Sequence, residues 1–226
     1  MTTPRAATTI AIDGPVASGK TAVGRSVAAA LGFHFLDTGL LYRAVAWAAV
    51  QRGIPPDDES ALTALAEGLR IEVTEPAQGE RVLVDGDDAT DSLKDPEVEG
   101  IVSRTSRVAG VRQALVATQR ALADVGRVVM AGRDIGTVIL PEADVKLYLQ
   151  ASVAERARRR RLELVAAGGQ TSLDQVQREI EARDRADTQR AASPLRPADD
   201  AHFMDTEGVS LDEVVERVLA LVKADA

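Results

Sequence analysis

The eight residues Gly14-Pro15-Val16-Ala17-Ser18-Gly19-Lys20-Thr21 constrain this chain more than any other segment. They match G-x-x-x-x-G-K-[ST], a pattern that has physical meaning only between a buried strand and a helix. The flanks comply. Residues 8–13, TTIAID, form a short β-branched apolar run that stops at Gly14-Pro15, as a strand entering a turn does. From Lys20 to Leu31 the positions Val23, Val27, Ala30 and Leu31 fall on one helical face, and Gly32 supplies a stop. Such a turn aims backbone N–H groups at an anion. A lysine at position 20 adds a point charge for β- and γ-phosphates, and a threonine at position 21 offers a hydroxyl to Mg²⁺. The loop predicts a bound nucleoside triphosphate without naming the reaction.

The rest of the pattern is that of an α/β protein. Strands are expected at Phe33–Leu36, Arg127–Ala131, Val145–Leu149 and His202–Met204. Helices are expected at about 40–51, 108–125, 152–167 and 171–190, with a last amphipathic one marked by Leu211, Val214, Val215, Val218 and Val222. Nearly continuous apolar strands alternating with helices imply a three-layer fold around a central parallel sheet, with ligands at the carboxyl ends of the strands. From about Asp57 to Ser106 the character changes to a short helix and alternating Leu69-Ile71-Val73 and Val82-Val84 runs joined by a Gly-containing turn. That segment predicts an inserted lobe with a small antiparallel sheet.

Composition narrows the function. A net charge of −8 argues against a general nucleic-acid binder. The arginines at 156, 158, 159, 160, 161, 183, 185 and 190 nevertheless cluster, which suits a small polyanion. There is no cysteine, no run of eighteen apolar residues and no apolar secretory stretch in the first nine residues, so a cytoplasmic protein without membrane contact is expected. No N-K-x-D accompanies the phosphate loop, and Asp205-Thr206-Glu207-Gly208 fits D-x-x-G only by letter, as a strand-end turn.

Two further polar clusters follow predicted strands: Asp37-Thr38-Gly39-Leu40-Leu41-Tyr42-Arg43 and Gly132-Arg133-Asp134-Ile135-Gly136-Thr137. With IDGPVASGKT, LDTGLLYRAVA, SRTSRVAGVRQAL, GRDIGTVILP, ERARRRR and the stretch from Arg183 through RAASPL to MDT, the chain resembles the bacterial cytidylate kinases over nearly its whole length. The resemblance implies one kinase domain over 1–226, with a core at 8–37, 107–150 and 200–226, an acceptor-binding lobe at about 38–106 and a helical lid at about 152–190. It implies a phosphoryl transfer from ATP, with Mg²⁺, to CMP and dCMP by a monomer. Kinases for other small acceptors such as UMP or AMP, and a regulator that binds NTP without transfer, are the alternatives.

The resemblance also assigns residues. Thr38, Tyr42, Arg43, Ser103, Arg112, Arg133, Asp134, Arg183, Asp187 and Arg190 match positions that line the CMP site in that family, with Lys20, Arg133 and Arg190 catalytic. Gly14 to Thr21 would hold ATP together with Arg156 and Arg160, which share a helical face. Thr21 would hold Mg²⁺, and the sequence leaves open whether Asp37 or Asp134 assists. Arg183 and Asp187 could pair at i,i+4 or meet the ribose. Relatives often have glycine where this loop has Ala17, and the substitution predicts that residue 17 avoids positive φ.

Overall fold

The computed structural model describes residues 8–74, 80–166 and 168–224. Its contacts divide the chain into two compact units, residues 1–36 with 126–226 and residues 37–125.

The first unit holds the parallel sheet. Its strands are β1 (Thr9–Asp13), β2 (His34–Asp37), which ends one residue into the second unit, β6 (Val128–Ala131), β7 (Val145–Gln150) and β8 (His202–Asp205), in the order β2-β6-β1-β7-β8. β1 is central: Ile10 lies opposite Val129 and Val145, Ile12 opposite Ala131 and Leu147, and Asp13 opposite Tyr148. Strands covered on both faces have no wet side, which is why TIAID and VVMA read as unbroken apolar runs. Helix α1 (Lys20–Leu31) and the terminal α8 (Leu211–Ala224) bury Val23, Val27, Val214, Val218 and Val222 in one core with the sheet's Ile10, Ile12, Leu147 and Leu149. Helices α6 (Val153–Ala166) and α7 (Leu173–Gln189) pack through Ala157, Val176 and Ile180, a small core that also receives Val16 and Ala17 of the phosphate loop.

The second unit has its own core. It contains α2 (Gly39–Gln51), α3 (Glu59–Gly68), an antiparallel sheet of β3 (Ile71–Thr74), β4 (Arg81–Val84) and β5 (Asp87–Asp88), then α4 (Pro96–Thr105) and α5 (Ala109–Ala123). The Gly-containing turn expected between β3 and β4 lies outside the described residues. Two features differ from the sequence reading. Helix α4 was not expected; its acidic first turn, Pro96-Glu97-Val98-Glu99, follows Asp95 as a helix start should, but only Val98, Ile101 and Val102 mark its apolar face. Helix α5, expected in the core, belongs to this unit because Val111 and Leu115 complete the same cluster as Leu41, Val45 and Leu62.

Candidate active site

The phosphate loop is shaped by contacts that its letters only partly announce. Gly14 has φ 150°, and a Cβ there would stand 2.2 Å from the carbonyl oxygen of Leu149, so no side chain is tolerated. Lys20 is 8% exposed and folds over its own loop, donating to the Pro15 carbonyl at 2.6 Å and to Ser18 Oγ at 3.4 Å. The expectation for residue 17 was wrong: Ala17 has φ 58°. The turn needs that backbone region whatever residue fills it, and alanine accepts a cost of about 1 kcal/mol. Packing of Ala17 and Val16 against Ala157, Val176 and Ile180 offsets the strain.

Arg156 and Arg160 part company although their spacing puts them on one face. Arg156 is buried. Its Nη1 donates to the Val16 carbonyl at 3.1 Å, its Nε to the Ala151 carbonyl at 3.1 Å, and its Nη2 to Asp184 at 2.6 Å. It therefore braces the loop from behind. Arg160 is partly exposed beside Glu163. Arg159, which the sequence reading did not single out, donates from Nη1 to Thr206 Oγ1 at 2.9 Å, and that nitrogen lies 3.9 Å from where a Cβ on Gly19 would sit. Thr206 belongs to the D-x-x-G segment, which is a strand-end turn: Glu207 N–H bonds Asp205, and the Glu207 carboxylate accepts from Ser152 ahead of α6.

After β6 the chain enters a wide turn of π-helical pitch, Ile135–Ile139. Arg133 and Asp134 precede it. Arg133 Nε donates to Asp187 Oδ2 at 3.0 Å; Arg190 Nη1 lies 3.4 Å from the other oxygen of Asp187, and Arg190 Nη2 is 3.9 Å from Asp134. The structure thus gathers Arg133, Asp134, Asp187 and Arg190, all but Arg133 with side chains at least nine-tenths buried. Arg183, one turn before Asp187 on α7, is half-buried.

In the second unit Asp37 accepts from Gly39 N–H at 2.9 Å and so caps the start of α2, with Thr38 buried beside it. Arg43 on α2 forms an ion pair with Glu99 on α4. Arg112 of α5 is buried, stacks on the Tyr42 ring at 5.1 Å and donates to the Ser106 carbonyl at 3.1 Å. Ser103 lies one turn before Ser106, half-buried at the end of α4.

A family model described as cytidylate kinase matches residues 10–224. The chain belongs to the cytidylate kinase family. A cytidylate kinase of a Geobacillus species is 45% identical over 94% of this chain and 95% of its own length. That of Pelotomaculum thermopropionicum is 47% identical over 95% of this chain and 96% of its own. In fold alone, the crystal structure of a gluconokinase from Sinorhizobium meliloti is similar at a TM-score of 0.50, with 17% identity and coverage of 97% and 94%. Among the described residues no helix is long and apolar enough to cross a membrane.

One residue of this cytidylate kinase family member that the sequence reading passed over is Asp13. It is 3% exposed and accepts backbone N–H bonds from Ile135 and Gly136, each at 2.8 Å. Burial pushes its pKa from 3.8 to about 6, with Asp134 adding to the rise, while the bonds from Gly136 and Ile135 and the charge of Lys20 pull the other way. The folded chain holds this proton more tightly than the unfolded one, so stability falls as pH rises from about 3.8 through about 6 and is level above. Asp13→Asn removes the titration. The melting temperature of the wild type minus that of the variant should therefore be larger at pH 5 than at pH 7.5, and an unchanged or reversed difference would contradict the assignment.

Proposed function

We propose that this chain transfers the γ-phosphoryl group of ATP to CMP and dCMP, giving ADP and CDP or dCDP. The observation that carries this reading is the cluster of Arg133, Arg190, Asp187 and Asp134 in the unit that holds the phosphate loop. A protein that only binds a triphosphate has no use for a second set of buried guanidinium groups; an acceptor with its own phosphate does. The planar forks of Arg133 and Arg190 suit that phosphate bidentately. The loop amides and Lys20 hold the β- and γ-phosphates of ATP, while Arg183 and Asp187 meet the ribose. An oxygen of the acceptor phosphate forms the new bond to the γ-phosphorus as the bond to the β–γ bridging oxygen breaks. Positioning and charge stabilisation supply the rate.

Mg²⁺ fits this reading on the chemistry of its donors. Thr21 is exposed on the first turn of α1 and offers a hard hydroxyl oxygen, and among the described residues no group of three carboxylates, histidines or cysteines gathers. Thr21, triphosphate oxygens and water would make the coordination shell, and the ion would neutralise phosphate charge. Both oxygens of Asp13 are committed to backbone N–H groups, and Asp37 is engaged in capping α2. The enzyme of this reading is a monomer of the cytoplasm.

A coupled assay of diphosphate formation from ATP with CMP, dCMP, UMP and AMP in turn tests the proposal; CMP and dCMP should lead, and a preference for AMP or UMP would replace it. The same assay reads base choice. Cytosine presents an amino donor at C4, uracil an acceptor, so a carboxylate facing that edge favours cytosine. We assign that part to Asp134. Asp134→Asn should reduce the CMP-to-UMP ratio of kcat/KM by about 10²-fold, because an amide can turn its donor to the uracil oxygen. An unchanged ratio would put base reading elsewhere.

A further inference from the structure

Asp13 is the last residue of β1 and stands immediately before the phosphate loop. The backbone connection between β1 and β6 ends at the bond from Gly132 N–H to the Ile12 carbonyl, 2.9 Å. Beyond that point Asp13 continues it with its side chain, one carboxylate oxygen to Ile135 N–H and the other to Gly136 N–H. These two N–H groups open the π-type turn, whose own bonds begin only at Val138 and Ile139 onto the Asp134 carbonyl. The first N–H groups of any helical turn lack partners within it, and here one buried carboxylate satisfies two. The fit is close on the other side too. A Cβ on Gly136 would lie 3.2 Å and 3.3 Å from Lys146 Cδ and Cγ and 3.4 Å from Asp13 Oδ2.

We propose that Asp13 is a positioning residue for the acceptor nucleotide, fixing the turn that follows Arg133 and Asp134, and so those two residues, in register with the phosphate loop. The inference rests on the reading above, in which Arg133 and Asp134 hold CMP. The loop itself is shaped by Gly14, Ala17, Lys20 on Pro15 and Arg156 on Val16, so losing the carboxylate moves the acceptor side while the donor side stays. Asp13→Asn keeps one acceptor oxygen and turns an amide donor against the second N–H.

The test measures KM for CMP, KM for ATP and kcat at pH 7.5 for wild type, Asp13→Asn, Gly136→Ala and the double variant. Each single variant should raise KM for CMP about tenfold or more and leave KM for ATP within about twofold. The double variant should be far less than multiplicative, since a Cβ on Gly136 presses on the Lys146 methylenes at 3.2 and 3.3 Å and displaces the same N–H that Asp13 holds. A wild type that forms no CDP from ATP and CMP would sink the functional reading and not this inference in particular. With an active wild type, single variants that leave KM for CMP unchanged, or raise both KM values together, would overturn it. Should Asp13→Asn lose its folded circular dichroism spectrum, Gly136→Ala decides alone. Loss of the fold in both would also overturn it, by making the contact a stability element.

Discussion

Lys20→Ala is expected to lower kcat for phosphoryl transfer by about 10³-fold or more while leaving the folded spectrum intact. The lysine ammonium sits over the loop on the Pro15 carbonyl and Ser18 hydroxyl, and in the proposed reading it meets the phosphate charge there. Its removal takes a donor from the Pro15 carbonyl and a cation from near Asp13, whose carboxylate keeps its two backbone N–H bonds, so the fold is expected to survive. Turnover and circular dichroism measured on the same preparation separate the two effects. Turnover within about tenfold of wild type would remove the loop lysine from the chemistry.

A second large effect is expected at Asp187, for the opposite reason. Its carboxylate lies between Arg133 and Arg190, and Asp187→Ala leaves two largely buried guanidinium groups facing each other. Breaking a buried ion pair from one side typically costs about 3–5 kcal/mol, and the proposed acceptor site loses the group that aligns Arg133 and Arg190. The expected result is a marked drop in melting temperature together with a fall of about 10²-fold or more in kcat/KM for CMP. Saturating CMP should recover more of the melting temperature in the variant than in wild type, because a ligand phosphate supplies the missing negative charge. Equal stabilisation by CMP in the two proteins would mean that these arginines do not hold the acceptor.

The parts of this molecule written locally were readable as letters. The β1 strand, glycine loop and α1 form one uninterrupted segment, and their turn, lysine and threonine carry their chemistry in fixed order. What sequence could not show depends on distant neighbours. β6 inserts between β2 and β1 although about ninety residues or more separate it from either. Asp13 reads as an ordinary strand end until Ile135 and Gly136 arrive to use it. In the run from Arg156 to Arg161 helical spacing pairs Arg156 with Arg160, yet only Arg156 meets Val16 and Asp184, and Arg159 is the neighbour that reaches Thr206. Glu99, the partner of Arg43, sits in a helix whose acidic start obscured it. Ala17 is instructive in another way: residue preference forecast one backbone region, and the geometry of the turn imposed another.

The buried guanidinium of Arg156 ties three pieces of chain into one strut. It spans the root of α6, the carbonyl of Val16 and the carboxylate of Asp184 on α7. Sliding Asp184 away would strand a buried ion without its counter-ion, a penalty of several kcal/mol, and sliding either carbonyl away would leave a buried N–H donor unpaired, at about 1–3 kcal/mol. The base of the two-helix arm is therefore mechanically part of the nucleotide platform. Should the arm bend over a bound nucleotide, as the proposed reading expects, the bend is expected farther out, between the strut and the turn at Gly168, with the loop beneath keeping its shape.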